Sequence, residues 1–336
     1  MRGNRGSKEV TQAVAAGAWT ETQKRDYGRI FRSILPFIAI IGLFLFFTIA
    51  NPRFAGLNNL YNIARQSSVL LTVALAGTFI ILMGSIDLSV GSMVTLAGIL
   101  SSILVLKVGA PAVIVVPIVG LIAGLFNGAL FAYVKLPSFL VTLGTLFAFN
   151  GAALFICAGH PSPFTAPGLQ SVVNGGLLGG FPNLALLAIV VYLICVFIAF
   201  RTKFGRYMYS IGGGERVARL SGVPVTRYKF VAFGLSGFLA ALAGLMLAVR
   251  IGAGAPAMGE PYLLDSIAAV VIGGTALSGG VGGPHRTILG ALVIGILSNG
   301  MNILNVYPFT QIIIRGLVVI VAVWLTMDRS KIAEMK

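Results

Sequence analysis

Long apolar runs separated by short polar segments fill the chain from about residue 34 onward. A helix that crosses the hydrocarbon core of a bilayer needs about 20 consecutive, mostly apolar residues. The runs predict ten such helices, at 34–50, 62–83, 88–106, 111–134, 138–157, 183–200, 227–250, 262–279, 287–304 and 309–326. The predicted fold class is therefore an all-α polytopic membrane protein of about ten transmembrane helices. The membrane domain (34–327) lies between an N-terminal tail (1–33) and a C-terminal tail (328–336).

The composition supports a membrane protein and excludes a soluble one. Only 10% of the 336 residues are charged and 57% are hydrophobic, whereas a soluble domain carries about 25% charged residues. A chain this apolar needs the bilayer as its solvent. Its two cysteines, Cys157 and Cys195, lie in apolar runs, so we expect small core residues without a disulfide or metal site.

The basic residues predict the orientation of the chain. With the N-terminus in the cytoplasm, nineteen of the 24 Lys and Arg residues fall inside, whereas Arg53, Arg65, Lys107 and Arg250 fall outside and Arg315 lies within the last span. Such a bias places both termini in the cytoplasm. The net charge of +15 is therefore a topology signal rather than a groove for nucleic acid.

Two connections are longer than a turn. Residues 158–182 are rich in Pro and Gly, almost uncharged, and predicted to lie outside, whereas residues 201–229 are basic and predicted to lie inside. We expect these loops to be the docking surfaces for an external and a cytoplasmic partner.

Two stretches of the chain resemble each other. Residues 120–147 and 290–319 each contain Asn-Gly within a span, a proline nine or ten residues later, and a further span. In the predicted topology they cross the membrane in opposite senses, as expected of the inverted repeats found in many transporters. Chance similarity between apolar segments is the alternative.

The segment SIGGGERVARLSGVPVT, residues 210–226, predicts a short amphipathic helix on the cytoplasmic side. Three glycines precede it, and Gly222 and Pro224 are stop signals that follow it. Val217, Leu220 and Ser221 share one side of this helix, whereas Glu215, Arg216 and Arg219 are polar. Such a helix either docks into a groove of a cytoplasmic partner or lies on the lipid headgroups.

Four long motifs occur here in the order in which one family has them. They are GSIDLSVGS, IGGGERVARLSGVPV, LSGFLAALAGLMLAVRIGAGAPAMG and LLDSIAAVVIGGTALSGGVGG. From about residue 35 to 328, the chain resembles the permease subunit of ribose/galactose-class ATP-binding-cassette sugar importers. It differs in having Ser85 where Gly is common, Leu263 where Glu is frequent, and Pro284-His285-Arg286 after GGVGG.

The resemblance implies an importer subunit in the bacterial plasma (inner) membrane that moves a monosaccharide or related small polyol. The implied partners are a cytoplasmic ATP-binding-cassette ATPase, an extracytoplasmic solute-binding protein, and a second permease copy, usually identical. The implied ATPase-coupling residues are Gly214, Glu215, Arg216, Ala218, Arg219, Leu220, Ser221 and Gly222. No phosphate-loop motif G-x-x-x-x-G-K-[ST] occurs, so we expect the partner, not this chain, to use ATP and Mg, and this chain to bind no cofactor.

Asp87 lies among glycines and serines in the segment MGSIDLSVGSM. A charge at mid-bilayer costs about 2.5–3.5 kcal/mol on insertion scales, so intramembrane acids mark function or pairing. We favour a cap of the third span, with the carboxylate accepting backbone N–H bonds. The alternatives are an ion pair with a buried base, such as Arg315, and direct contact with substrate; the same alternatives apply to Asp265.

Polar residues within the spans are candidates for the translocation path or its gating. They are Asp87, Ser89, Asn127, Thr145, Asn150, Asp265, Asn299, Asn302 and Arg315. Hydrogen bonds between helices explain the asparagines and threonines equally well.

Two other classes of protein compete with an importer permease. An ion-coupled secondary transporter would use Asp87 and Asp265 as ion sites, but it leaves ERVARLSG unexplained. A membrane-embedded enzyme would need clustered catalytic side chains, and the sequence offers none. Within importers, an amino acid or nucleoside substrate remains open.

Overall fold

The structure, a computed structural model, describes residues 34–177 and 180–326. The predicted tails, residues 1–33 and 328–336, lie outside the described residues. The helices in these ranges are α1 (Ile34–Ala50), α2 (Leu57–Leu82), α3 (Val90–Val108), α4 (Ala112–Ala132), α5 (Ser138–Cys157), α6 (Pro167–Asn174), α7 (Asn183–Arg201), α8 (Lys203–Gly213), α9 (Glu215–Leu220), α10 (Val225–Ile251), α11 (Glu260–Ile272), α12 (Pro284–Ile303) and α13 (Pro308–Thr326). A short 3-10 helix, Pro52–Ala55, joins α1 to α2.

Four two-residue strands form two small antiparallel pairs. They are β1 (Ser162–Pro163), β2 (Gly176–Leu177), β3 (Phe181–Pro182) and β4 (Ala253–Gly254). Ser162 pairs with Gly254, and Gly176 pairs with Pro182. The β1–β4 pair holds the connection that contains α6 against the end of α10, whereas the β2–β3 pair lies within that connection.

The prediction of a polytopic all-α membrane protein is confirmed. Seven helices of the described ranges are long and apolar enough to cross a membrane: α2, α3, α4, α5, α7, α10 and α12. Their bounds lie within a few residues of the predicted ones, except that α2 begins five residues earlier. α1 and the apolar part of α13, Pro308–Val321, are shorter.

The two ends of the helix bundle differ in what they carry. We call one end the α9 end: there Leu82 of α2 accepts a backbone hydrogen bond from Gly280, and α8 and α9 lie nearby. We call the opposite end the α6 end: there Asn174 of α6 donates a hydrogen bond to the Val249 carbonyl of α10 (3.2 Å). α10 runs from the α9 end to the α6 end over 27 residues, about 40 Å at 1.5 Å per residue.

α10 is the central helix, and it packs against α4, α3 and α2. Glycines spaced four apart on α4, at positions 120, 124 and 128, let the α4 backbone touch the α10 backbone. A Cβ atom at Gly124 would lie 2.2 Å from the Phe233 carbonyl oxygen, and one at Gly237 would lie 2.1 Å from the Gly120 carbonyl oxygen. Small residues at this spacing drive helix association in lipid, where burial from water contributes little.

The predicted eighth span, 262–279, is wrong in its bounds. α11 has 13 residues and ends at Ile272, because the glycine-rich segment that follows leaves the helix. Gly274, Gly279 and Gly280 adopt positive φ angles (94°, 83° and 75°), which glycine adopts without steric cost. α11 is therefore about 20 Å long, and it does not span a bilayer by itself.

We expect Gly124→Ala to destabilise the protein. The added methyl group meets backbone atoms that cannot rotate away, and overpacking of this kind costs about 1–3 kcal/mol. The check is the melting temperature of the detergent-solubilised chain, with Gly42→Ala on α1 as control because nothing lies within 4 Å of that position. Equal melting temperatures for both variants would contradict the close backbone contact.

Candidate coupling surface and translocation site

The α9 end carries a short exposed helix with an apolar outer side. α9 has the predicted start at Glu215 and ends at Leu220, and Gly222 beyond it has a φ of 82°. Val217 is 69% exposed and Leu220 is 82% exposed, whereas Ala218 on the inner side is buried. The side chains of Val217 and Leu220 thus point away from the rest of the chain, where a partner protein could contact them.

Glu215 fixes this helix to α10. Its carboxylate accepts hydrogen bonds from the Lys229 ammonium (2.7 Å) and from the Arg219 guanidinium (2.8 Å). Burial alone raises the pKa of Glu215, but the bonds and charges of Lys229 and Arg219 outweigh it and lower the pKa below its usual value. The Lys229 ammonium also lies 4.5 Å from the centre of the Phe131 ring of α4.

The rest of the predicted coupling loop, 201–229, is largely helical. α8 packs its Met208 and Ile211 side chains inward and touches the glycine-rich turn after α11. A Cβ atom at Gly212 would lie 2.0 Å from the Leu82 carbonyl oxygen and 2.4 Å from the Gly280 nitrogen. The Tyr209 hydroxyl donates a hydrogen bond to the Gly282 carbonyl (2.8 Å). α8 therefore links α9 to the glycine-rich turn that joins α11 to α12.

Asp87 lies in a buried hydrogen-bond network between three elements. One carboxylate oxygen accepts bonds from the backbone N–H of Ser89 (2.9 Å) and its hydroxyl (2.6 Å), and the other from the Ser236 hydroxyl of α10 (2.9 Å). The Asn127 amide of α4 donates to the Ser89 hydroxyl (3.0 Å). The favoured interpretation as a helix cap is thus modified: Ser89 occupies the cap position, and Asp87 joins the α3 start to α10.

Asp265 and Arg315 form an ion pair between α11 and α13. An Arg315 guanidinium nitrogen lies 3.1 Å from an Asp265 carboxylate oxygen, and both side chains are mostly buried. Of the two pairs that the sequence left open, the structure therefore contains the one with Asp265. Tyr262 and Arg250 lie close to this pair, and one nitrogen of Arg250 and the Nε of Arg315 are buried without a partner in the described residues.

The other candidate path residues are scattered. The Thr145 hydroxyl bonds to carbonyls of its own helix (3.2 and 3.3 Å). Asn302 is exposed and accepts a bond from Gln311 (3.0 Å). Asn299 is buried with an unpartnered side-chain oxygen, and Asn150 is half-buried on α5. The structure brings Asp87, Ser89 and Asn127 together, and it pairs Asp265 with Arg315. It does not bring all nine candidate path residues into one site.

Several contributing residues escaped the sequence analysis. Ser236 of α10 bonds to Asp87, which lies 149 residues away in the chain. Lys229 bonds to Glu215, 14 residues away and on a different helix, so helical spacing marks neither contact. Gln311 is 7% exposed and bonds to the Val306 carbonyl as well as to Asn302. The amphipathic α8 could have been found, because Phe204, Met208 and Ile211 recur at helical spacing.

Sequence comparison finds relatives of the chain among transport permeases. A family described as "Branched-chain amino acid transport system / permease component" matches residues 59–323. A ribose import permease protein of Bacillus subtilis is 38% identical over 324 residues, which cover 94% of this chain and 98% of that protein. A ribose import permease protein of Haemophilus influenzae is 37% identical over 309 residues, which cover 90% of this chain and 95% of that protein.

A xylose transport system permease protein of Escherichia coli is 35% identical over 351 residues, with 85% of this chain and 89% of that protein covered. No solved structure matches the chain significantly. The chain belongs to the family of transport-system permease components and is a multi-pass protein of the bacterial inner membrane.

We expect the Asp265–Arg315 pair to show strong coupling in a double-mutant cycle. Arg315→Leu alone leaves a carboxylate buried without its partner, a change that costs on the order of 3 kcal/mol. Adding Asp265→Leu removes that charge and should restore much of the loss. The readout is the melting temperature of the purified protein; additive losses in the double variant would contradict the pairing.

Proposed function

We propose that the chain is the membrane subunit of an ATP-driven importer for a monosaccharide or a related small polyol. The ribose and xylose named for its relatives support a sugar, whereas the family description names branched-chain amino acids. The chain covers nearly the whole length of the ribose permeases it resembles, so we favour the sugar.

The observation that carries this proposal is the outward-facing apolar pair on α9. Val217 and Leu220 contact little of their own chain, while Glu215 and Ala218 hold the helix in place. Together with Gly214, Arg216, Arg219, Ser221 and Gly222, they form the surface on which we place a cytoplasmic ATPase. Arg216 and Arg219 suit a partner groove that carries acidic residues.

The structure offers two routes from this surface into the membrane. One runs through the Glu215–Lys229 ion pair to α10, which carries Ser236 at the Asp87 network. The other runs through α8 to the glycine-rich turn and α11, which carries Asp265. We infer that ATPase movement shifts these two helices and switches the path between its outward and inward states.

The proposed topology places the α9 end in the cytoplasm, together with both termini. Ten segments enter the membrane, of which α11 crosses only part of it. α4 and α12 run in opposite directions, and each leads through a turn with a left-handed residue, Lys135 (φ 65°) or Asn305 (φ 52°), into the next helix. This similarity of the turns supports the proposed inverted repeat.

The proposed partners follow from the two ends and from the exposed faces. The α6 end, with residues 158–177 and 180–182, would receive an extracytoplasmic binding protein. A second permease copy would cover part of the apolar exterior and complete the path between the two chains. ATP and Mg would act in the separate ATPase, and this chain would bind no cofactor and catalyse no reaction.

We expect Leu220→Asp to uncouple transport while leaving the fold intact. Burying a leucine at an interface contributes about 1.5–3 kcal/mol, so ATPase attachment should weaken roughly tenfold or more. The measurement is the amount of ATPase that co-purifies with a tagged chain, and the rate of ATP hydrolysis by that complex. Leu220→Met is the control, because it keeps the side chain apolar.

The melting temperature of the chain should be the same in both variants, since Leu220 is 82% exposed. Unchanged ATPase recovery and hydrolysis in the aspartate variant would refute the assigned docking surface.

A further inference from the structure

The segment between α10 and α11 turns back into the membrane. α10 ends at Ile251 at the α6 end, and the chain then reverses. A Cβ atom at Gly254 would lie 2.5 Å from the Gly98 carbonyl oxygen of α3. Five residues later, the Gly259 N–H donates a hydrogen bond to the Thr95 hydroxyl (2.9 Å). Residues 252–259 therefore descend along α3 without forming a helix.

This contact fixes the depth at which α11 begins. Thr95 lies about 20 Å below the outer end of α3, counted at 1.5 Å per residue. On the other side, Ser89 at the start of α3 bonds to Asn127, which lies five residues, about 8 Å, from the inner end of α4. The hydrocarbon core is about 30 Å thick. Glu260, the first residue of α11, thus lies near mid-membrane.

The Glu260 side chain is exposed at this depth and forms no ion pair or hydrogen bond within the described residues. Pro261 and Leu264 are exposed beside it, with Leu264 at 61%. A carboxylate in the first turn of a helix is stabilised by the helix dipole, but by less than the cost of placing a charge in lipid. The dipole therefore does not account for an exposed acid that faces lipid, so this position needs a polar environment such as water.

The non-helical backbone of residues 252–259 agrees with a polar site but does not by itself require water, because α3 covers part of it. Irregular backbone at membrane depth occurs only where protein buries it or where it lines a water-filled cavity. Such interrupted spans, with a half-helix starting near the midplane, are the usual place of substrate sites in transporters. Here the half-helix starts with an acid, so its end suits a ligand that donates hydrogen bonds, not an anion.

We propose that Glu260 lines the translocation path and accepts hydrogen bonds from hydroxyl groups of the passing sugar. The inference rests on the proposed function for the identity of the ligand, but not for the presence of water at Glu260. The Asp265–Arg315 pair lies farther along α11 and anchors this helix to α13. Movement of α8, which bonds to Gly282 in the turn after α11, would be transmitted to α11 through that turn and would shift Glu260 with the helix.

Thiol labelling tests whether water reaches this position. In full-length chain with Cys157→Ala and Cys195→Ala, both buried sites, Glu260→Cys is compared with Leu193→Cys. Leu193 is 57% exposed at the middle of α7, on an apolar face. The probe is the membrane-impermeant reagent 2-sulfonatoethyl methanethiosulfonate, added to intact cells and to inside-out vesicles that contain the assembled importer.

We expect the cysteine at position 260 to react at least tenfold faster than the one at position 193, either in intact cells or in inside-out vesicles. Equal, slow labelling at both positions would overturn the inference, because it would mean that lipid or a second copy covers Glu260.

Uptake kinetics test the contact with hydroxyl groups. A hydrogen bond to a charged group is worth about 1.5–3 kcal/mol, so Glu260→Leu should raise the KM for uptake of ribose or xylose about tenfold or more. Glu260→Gln keeps an acceptor and should raise it less. An unchanged KM in the leucine variant would overturn the role in recognition. Absence of ATP-dependent pentose uptake by the unmodified chain would instead count against the proposed function, while leaving the labelling result intact.

Discussion

Direct contact between the α4 and α10 backbones is the interaction on which the rest of the structure depends. Lipid tails are as apolar as leucine, so helices in a bilayer gain most from close packing and from hydrogen bonds with each other. Glycines at 120, 124 and 237 bring the two helices into contact. α10, held in this way, carries Lys229 at the coupling surface and Ser236 at the Asp87 network.

Polar contacts are few, and they lie where elements meet. Asp87 joins the start of α3 to α10, Asp265 joins α11 to α13, and Glu215 joins α9 to α10. Each acid has partners from its own or another element, because an unsatisfied charge would be costly in or near lipid. Among the acids of the described residues, Glu260 is the exception, because its side chain has no such partner. Its exposure is therefore the reason to infer a polar environment at this depth.

The sequence predicts most of the helices because apolar runs of about 20 residues have few other structures open to them. α9 was equally predictable, since glycines on both sides and Pro224 mark its limits. The end of α11 was not predictable: the predicted start lies within two residues of Glu260, but the predicted end lies seven residues beyond Ile272. Membrane helices tolerate glycine, and only the structure shows that Gly274 adopts a positive φ and leaves the helix. Partners such as Ser236 for Asp87 depend on tertiary contacts that no local pattern encodes.

The central claim is that energy for transport enters through α9 from a separate ATPase. The most direct test is to reconstitute the chain in liposomes with its ATPase and binding protein and to measure radiolabelled pentose uptake under controlled gradients. The account predicts uptake that requires ATP and persists when proton and sodium gradients are collapsed by ionophores. Uptake that proceeds without ATP and stops when the gradients collapse would contradict it, and would make Asp87 and Asp265 candidate ion sites.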